Sequence, residues 1–277
     1  MPKKHDKGPN PADLLFKNLF SEGLRDEPFE VIAAGLAASR CNAERLLSDV
    51  RYLVEAGRLS SARFLLTTAR EEIAKSYILA DTCRLDLETH SSVLRGLCRA
   101  FYDHISKHAY LEVLDFPHIN SMSDAKVIWE IEVKRWWPAE YETGEPDMRH
   151  DTYFDREFPL YIDCDDYGRC WVTPMDAVQN AYFMETLGET HVSRTEKLLE
   201  SWQEAASIGM CSGTVLTILN SVFKKHYIGE NATQKQLVSL YEQVAQGVMA
   251  ETGISTKSFM PSPLVQWPLY HFVCECK

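Results

Sequence analysis

No stretch of the chain approaches the roughly 18 consecutive apolar residues that a membrane-spanning helix needs. The opening Met1-Pro2-Lys3-Lys4-His5-Asp6-Lys7 has no apolar segment behind it to make a secretory signal. The expectation is a cytoplasmic protein with no membrane partner. Nucleotide and protease signatures are missing too: there is no Gly-x4-Gly-Lys-Ser/Thr loop, no Gly-x-Gly-x-x-Gly turn and no His-Glu-x-x-His pair. Gly209-Met210-Cys211-Ser212-Gly213 carries its serine one position too late for a nucleophile elbow and reads as a turn that starts a helix. The Cys-x2-Cys units of a zinc site are lacking as well, since five residues separate Cys164 from Cys170 and one separates Cys274 from Cys276. With eight cysteines spread over 277 residues, reduced thiols packed as small hydrophobes are expected, and neither a metal nor a cofactor.

Positive charge is in short supply. Twenty-nine Lys and Arg face 40 Asp and Glu, a formal net charge of -11, which argues against a chain that binds polyanions over its whole surface. The deficit is uneven. Between Pro138 and Asp166 ten acids face two bases, whereas from Arg40 to His108 eleven bases face nine acids. The second region is where a polyanion meets least repulsion.

What is present is helical periodicity. After a mobile arm over residues 1–11 and a short amphipathic segment from Ala12 to Phe20, apolar residues recur at three- and four-residue steps from Phe29 to Ala56, with Gly57 as the stop. Ser60 or Ser61 is expected to cap a second helix with the stripe Ala62, Leu65, Leu66, Ala69, Ile73, Tyr77, and a third is expected from Ser91 to His108. Short links make the fold mainly α, an antiparallel helical bundle whose core spans residues 12–137. An acidic loop and a small β-hairpin follow over 138–174, with strands at Leu160–Asp163 and Arg169–Thr173. Helices over 175–259 (175–186, 195–206, 215–223 and 235–249) are expected to pack on the core, and the tail 260–277 to lie down as an extended segment.

Two constellations in the bundle carry chemistry. In Ala69-Arg70-Glu71-Glu72-Ile73-Ala74-Lys75, Glu72 falls about 70° from the centre of the apolar stripe while Glu71 points nearly opposite. That predicts a half-buried Glu72 bonded to a neighbouring helix, through Asn42 or an arginine, and a surface pair between Glu71 and Lys75. In Arg99-Ala100-Phe101-Tyr102-Asp103-His104, followed by Lys107 and His108, a permanent cation and an imidazole supply the two parts that RNA cleavage without a metal needs. On a straight helix Arg99 and His104 lie about 140° apart, so a bend or a second copy of the chain has to bring them to one phosphate.

These elements resemble the abortive-infection AbiV group of the HEPN superfamily, helical domains many of which are ribonucleases in prokaryotic defence and toxin systems. The matching pieces are Asn42-Ala43-Glu44-Arg45-Leu46-Leu47 with Asp49, Ala62, Ala69 to Lys75, Asp103-His104 with Lys107, and Leu160-Tyr161-Ile162-Asp163 with Trp171 and Pro174. The resemblance implies a homodimeric helical bundle that cuts RNA without metal, with Arg99 and His104 catalytic and Glu72, Lys75, Asn42, Asp103 and Lys107 supporting them. It implies an endoribonuclease effector of an anti-phage system, with an antitoxin or a phage-derived protein as the further partner. Active members commonly carry a polar residue after the arginine, where this chain has Ala100. The alternative is a non-catalytic HEPN-like module that binds a protein partner or a nucleotide, and the acidic loop would suit a basic partner.

Overall fold

The computed structural model describes residues 10–20, 28–116, 119–134, 163–164, 171–172 and 189–274. Among these, α1 (Pro11–Phe20), α2 (Pro28–Glu55), α3 (Leu59–Thr82), α4 (Ser91–Tyr102), α5 (His104–Asp115) and α6 (Met122–Val133) come first. They are followed by α7 (Glu189–Ser207), α8 (Gly213–Phe223), α9 (Gln234–Thr252) and the single turn α10 (Thr256–Phe259). The fold is helical. No described helix is long and apolar enough to cross a membrane.

The long hairpin α2–α3 is the frame. In α2, Ile32, Leu36, Ala43, Leu46, Leu47 and Val50 are buried at the spacing of one helical face. Gly57, at φ 70°, ends the helix in the left-handed conformation, and Arg58 N–H then bonds back to the Leu53 carbonyl at 2.8 Å. This tight turn leaves Arg58 at the N-cap of α3, without a side-chain cap, so Ser60 and Ser61 fall inside the first turn and do not cap it. From Ala69 to Thr82 every α3 residue is buried except Glu72 and Lys75, which are half-buried. That helix packs against α2, α4 and α5 and runs through the centre of the molecule.

The expected third helix is two. Asp103 is extended, at φ -84° and ψ 125°, and divides Ser91–Tyr102 from His104–Asp115. Its carboxylate accepts a hydrogen bond from Ser106 N–H at 2.7 Å, capping α5 and satisfying one of the amides that a helix start leaves open.

The C-terminal helices share one hydrophobic core with the first six, a cluster running from Ala12 to Val273. The tail departs from an extended path through two 3₁₀ turns, Pro263–Val265 and Phe272–Cys274. The end of α3 holds it. The Asp81 carboxylate accepts from the Arg84 guanidinium, from Tyr110 Oη at 3.0 Å and from Leu269 N–H at 2.8 Å. Arg84 Nη2 donates to the Leu264 carbonyl at 2.7 Å. Buried polar groups pair because each would lose its water otherwise, and here that need locks the tail to α3.

Asp163–Cys164 pairs antiparallel with Trp171–Val172, Asp163 opposite Val172. The arm before Asn10, the rest of the acidic loop, the link between these two short strands, the helix expected over 175–186 and the last three residues lie outside the described residues.

Candidate functional site

Three elements meet at the break after α4. The buried α3 supplies Glu71, and the first turn of α5 supplies His104 and Lys107. Glu71 Oε1 lies 2.8 Å from His104 Nδ1, and Glu71 Oε2 accepts from Lys107 Nζ at 2.8 Å. The Glu71 side chain is 9% exposed and that of Lys107 4%, whereas His104 retains 28%. The imidazole therefore stands at the boundary, tethered from below by a carboxylate.

Electrostatics fixes the roles. Burial by itself would raise the Glu71 pKa, but the hydrogen bond from His104 and the charge of Lys107 outweigh it and hold the carboxyl below its usual range. An ionised carboxylate can only accept, so the His104 nitrogen that faces Glu71, Nδ1, is the one that carries a proton. Lys107 is pulled below the ordinary lysine range by burial, partly offset by Glu71. The cluster is a buried carboxylate shared between the Lys107 ammonium and the His104 ring.

Arg99 belongs to the last turn of α4 and is exposed. No ion pair of Arg99 is found among the described residues. Because Asp103 interrupts the helix, the 140° separation of a straight helix does not apply to Arg99 and His104. Ala100, the next residue, is buried.

Glu72 is half-buried as expected, but its partner is Lys75 of its own helix, and Glu71, expected at the surface with Lys75, is the more deeply buried of the two. Glu71 is the interior acid, while Glu72 accepts from Lys75 Nζ at 2.6 Å, and Lys75 Nζ lies over the Phe101 ring at 5.2 Å. The reason is that α3 is enclosed on nearly all sides, so the side opposite its apolar stripe faces α5 and not water. Asn42 accepts from Arg45 at 2.9 Å, and Arg45 pairs with Asp49 at 3.2 Å, a network within α2. The structure thus joins Glu71, His104 and Lys107, joins Glu72 with Lys75, and keeps Asn42 with its own helix. Glu71 was legible only as part of the Glu-Glu-x-x-Lys run. Asp103 followed by Ser106 is the local signal for the break, an N-cap residue with the amide three positions on.

A second buried cluster lies one residue earlier on α3. Arg70 reaches Glu112 at 2.9 Å, Asp115 at 3.2 Å and Thr195 Oγ1 at 3.3 Å, tying α3 and α5 to α7. Burial raises the Asp115 pKa and lowers that of the nearby His191, the latter helped by Arg70. Among the described residues no group of His, Cys, Asp and Glu is arranged to hold a metal ion.

Comparison with known proteins agrees with this architecture. No curated protein and no solved structure matches the chain. The family model HEPN_AbiV, described as AbiV, matches residues 31–194, more than half of the sequence and the stretch that contains Glu71, Arg99, His104 and Lys107. By that match the chain belongs to the AbiV family of HEPN proteins.

Proposed function

We propose that this protein is an endoribonuclease effector of an anti-phage abortive-infection system, acting as a toxin on RNA. One observation carries the reading: the half-buried His104 is held by a buried, ionised Glu71 through Nδ1, one residue beyond a helix break that follows the exposed Arg99. A histidine whose second nitrogen is committed to a carboxylate is oriented and tautomerically fixed for proton transfer.

In the proposed reaction His104 Nε2 takes the proton of a ribose 2′-hydroxyl. The 2′-oxygen bonds to phosphorus, the bond from phosphorus to the 5′-oxygen breaks, and the leaving oxygen is protonated by water or by the His104 imidazolium of a second copy. The products are a 2′,3′-cyclic phosphate and a 5′-hydroxyl end. Arg99 stabilises the charge gathering on the phosphate oxygens, where the donor geometry of a guanidinium fits. Glu71 positions His104, and Lys107 helps to keep Glu71 ionised. A homodimer bringing two α4–α5 breaks together, and an antitoxin or phage-derived trigger, complete the proposal.

Expression of the wild-type chain should arrest growth and fragment RNA, and His104→Ala should lose both while remaining folded. Arrest that persists in both His104→Ala and Arg99→Ala would remove the chemistry from this site. The buried Ala100 favours a second reading, a non-catalytic module that binds a protein partner or nucleotide. Purified protein that leaves mixed RNAs intact while retaining a stable partner would select it.

A further inference from the structure

The outward face of α4 ends at Tyr102, two residues before His104. Its exposed positions, Ser91, Ser92, Arg95, Arg99 and Tyr102, recur at the spacing of one helical stripe. Arg95, Arg99 and Tyr102 fall within about 60° of one another around the axis and about 10 Å along it.

Each of the outer two is held in place and stays exposed. The Arg95 guanidinium lies 4.0 Å from the centre of the Phe16 ring, which fixes the side chain against α1 while 50% of it remains exposed. Arg95 also forms an exposed ion pair with Asp13, whose 4.0 Å separation is too long for a hydrogen bond and which a phosphate would have to displace. Tyr102 is 45% exposed and meets Phe101 edge to face at 5.2 Å, and Phe101 is covered in turn by Lys75. A ring supported on one side by packing offers a stacking surface at little entropic cost. Two guanidinium groups one helical turn apart, followed by such a ring, match the combination by which single strands are bound: cations along the backbone and an aromatic under a base. A duplex suits it poorly, because its bases are already stacked and turned inward.

We propose that Arg95 and Tyr102 form a binding strip for single-stranded RNA along α4, Arg95 on a phosphate remote from the cut and Tyr102 under a base flanking it. The proposal rests on the ribonuclease reading and concerns how that site takes its substrate.

The test uses the full chain and a fluorescent 2′-O-methyl RNA, which lacks the attacking hydroxyl and stays whole while binding is read by anisotropy. Tyr102→Ala should weaken binding about tenfold with unchanged salt dependence, and Tyr102→Phe should stay within about twofold. Arg95→Gln should weaken binding and flatten the slope of log K against log salt by about 0.7, with Arg95→Lys restoring most of the slope. A duplex of the same sequence should bind at least about tenfold more weakly. Undetectable binding by the wild type, wild-type affinity in Tyr102→Ala, or equal affinity for duplex and single strand would each overturn the strip. So would a change of oligomeric state in RNA-free Tyr102→Ala, since a second copy would then cover this face. Wild-type protein that binds in the expected pattern yet leaves cleavable RNA intact keeps the strip and removes the nuclease. Cleavage at the wild-type rate by both Tyr102→Ala and Arg95→Gln does the reverse.

Discussion

Glu71→Gln is the perturbation that probes the buried cluster most directly. It keeps the shape of the side chain, removes its charge, and leaves Lys107, 4% exposed, without its counter-ion. Removing one member of a buried pair costs about 3–5 kcal/mol, and the low end applies because glutamine still accepts one hydrogen bond. At about 3 kcal/mol, a chain of this size should lose about 6–9 °C in melting temperature. The pH dependence is the sharper signature. Glu71, held below its usual range by His104 and Lys107, contributes stability that is complete above the ordinary carboxylate range and lost as pH falls through its depressed value. Lys107, lowered by burial, costs stability while charged, and that cost is relieved as pH rises through its depressed value. The gap between wild type and Glu71→Gln should therefore be widest between these limits and narrow at both ends. Urea unfolding across pH measures it. The double variant Glu71→Gln/Lys107→Met should recover more than half of the loss, because the stranded charge is gone. A gap that is flat with pH, together with additive single-variant losses, would refute the reasoning.

Other outcomes follow from the same geometry. Arg99→Ala should lower RNA cleavage by about 100-fold or more with little effect on melting, because Arg99 is exposed and is proposed to act on the transition state. Asp81→Ala should cost about 3–5 kcal/mol and release the tail, seen as new protease cutting between residues 260 and 274, since Asp81 gathers Arg84, Tyr110 and Leu269. Gly253→Ala should cost about 1 kcal/mol in chemical denaturation, because Gly253 closes α9 at φ 74°. Thiol labelling of the native protein should modify the exposed Cys41 quickly and spare Cys83 and Cys98, each buried and pushed up to about 12.

The sequence by itself determined the helices and their faces, because burial recurs along α2 and α4 at the helical period whatever the partner turns out to be. It also determined where α2 stops, since only glycine adopts the conformation at Gly57 without strain. The AbiV resemblance rested on short motifs, chiefly Ala69 to Lys75, and the family match spans them. Tertiary structure alone decided which of two adjacent glutamates is the interior one. The angular estimate assumed that α3 has a wet side, and a helix enclosed by α2, α4 and α5 has almost none. It also decided that the run from Ser91 to His108 breaks at Asp103. The apolar pattern continues through that residue, and the choice between a helix interior and a cap depends on whether Ser106 N–H and the Glu71–His104 contact reward a restart. Periodicity records how much of a residue is covered; only packing says by what.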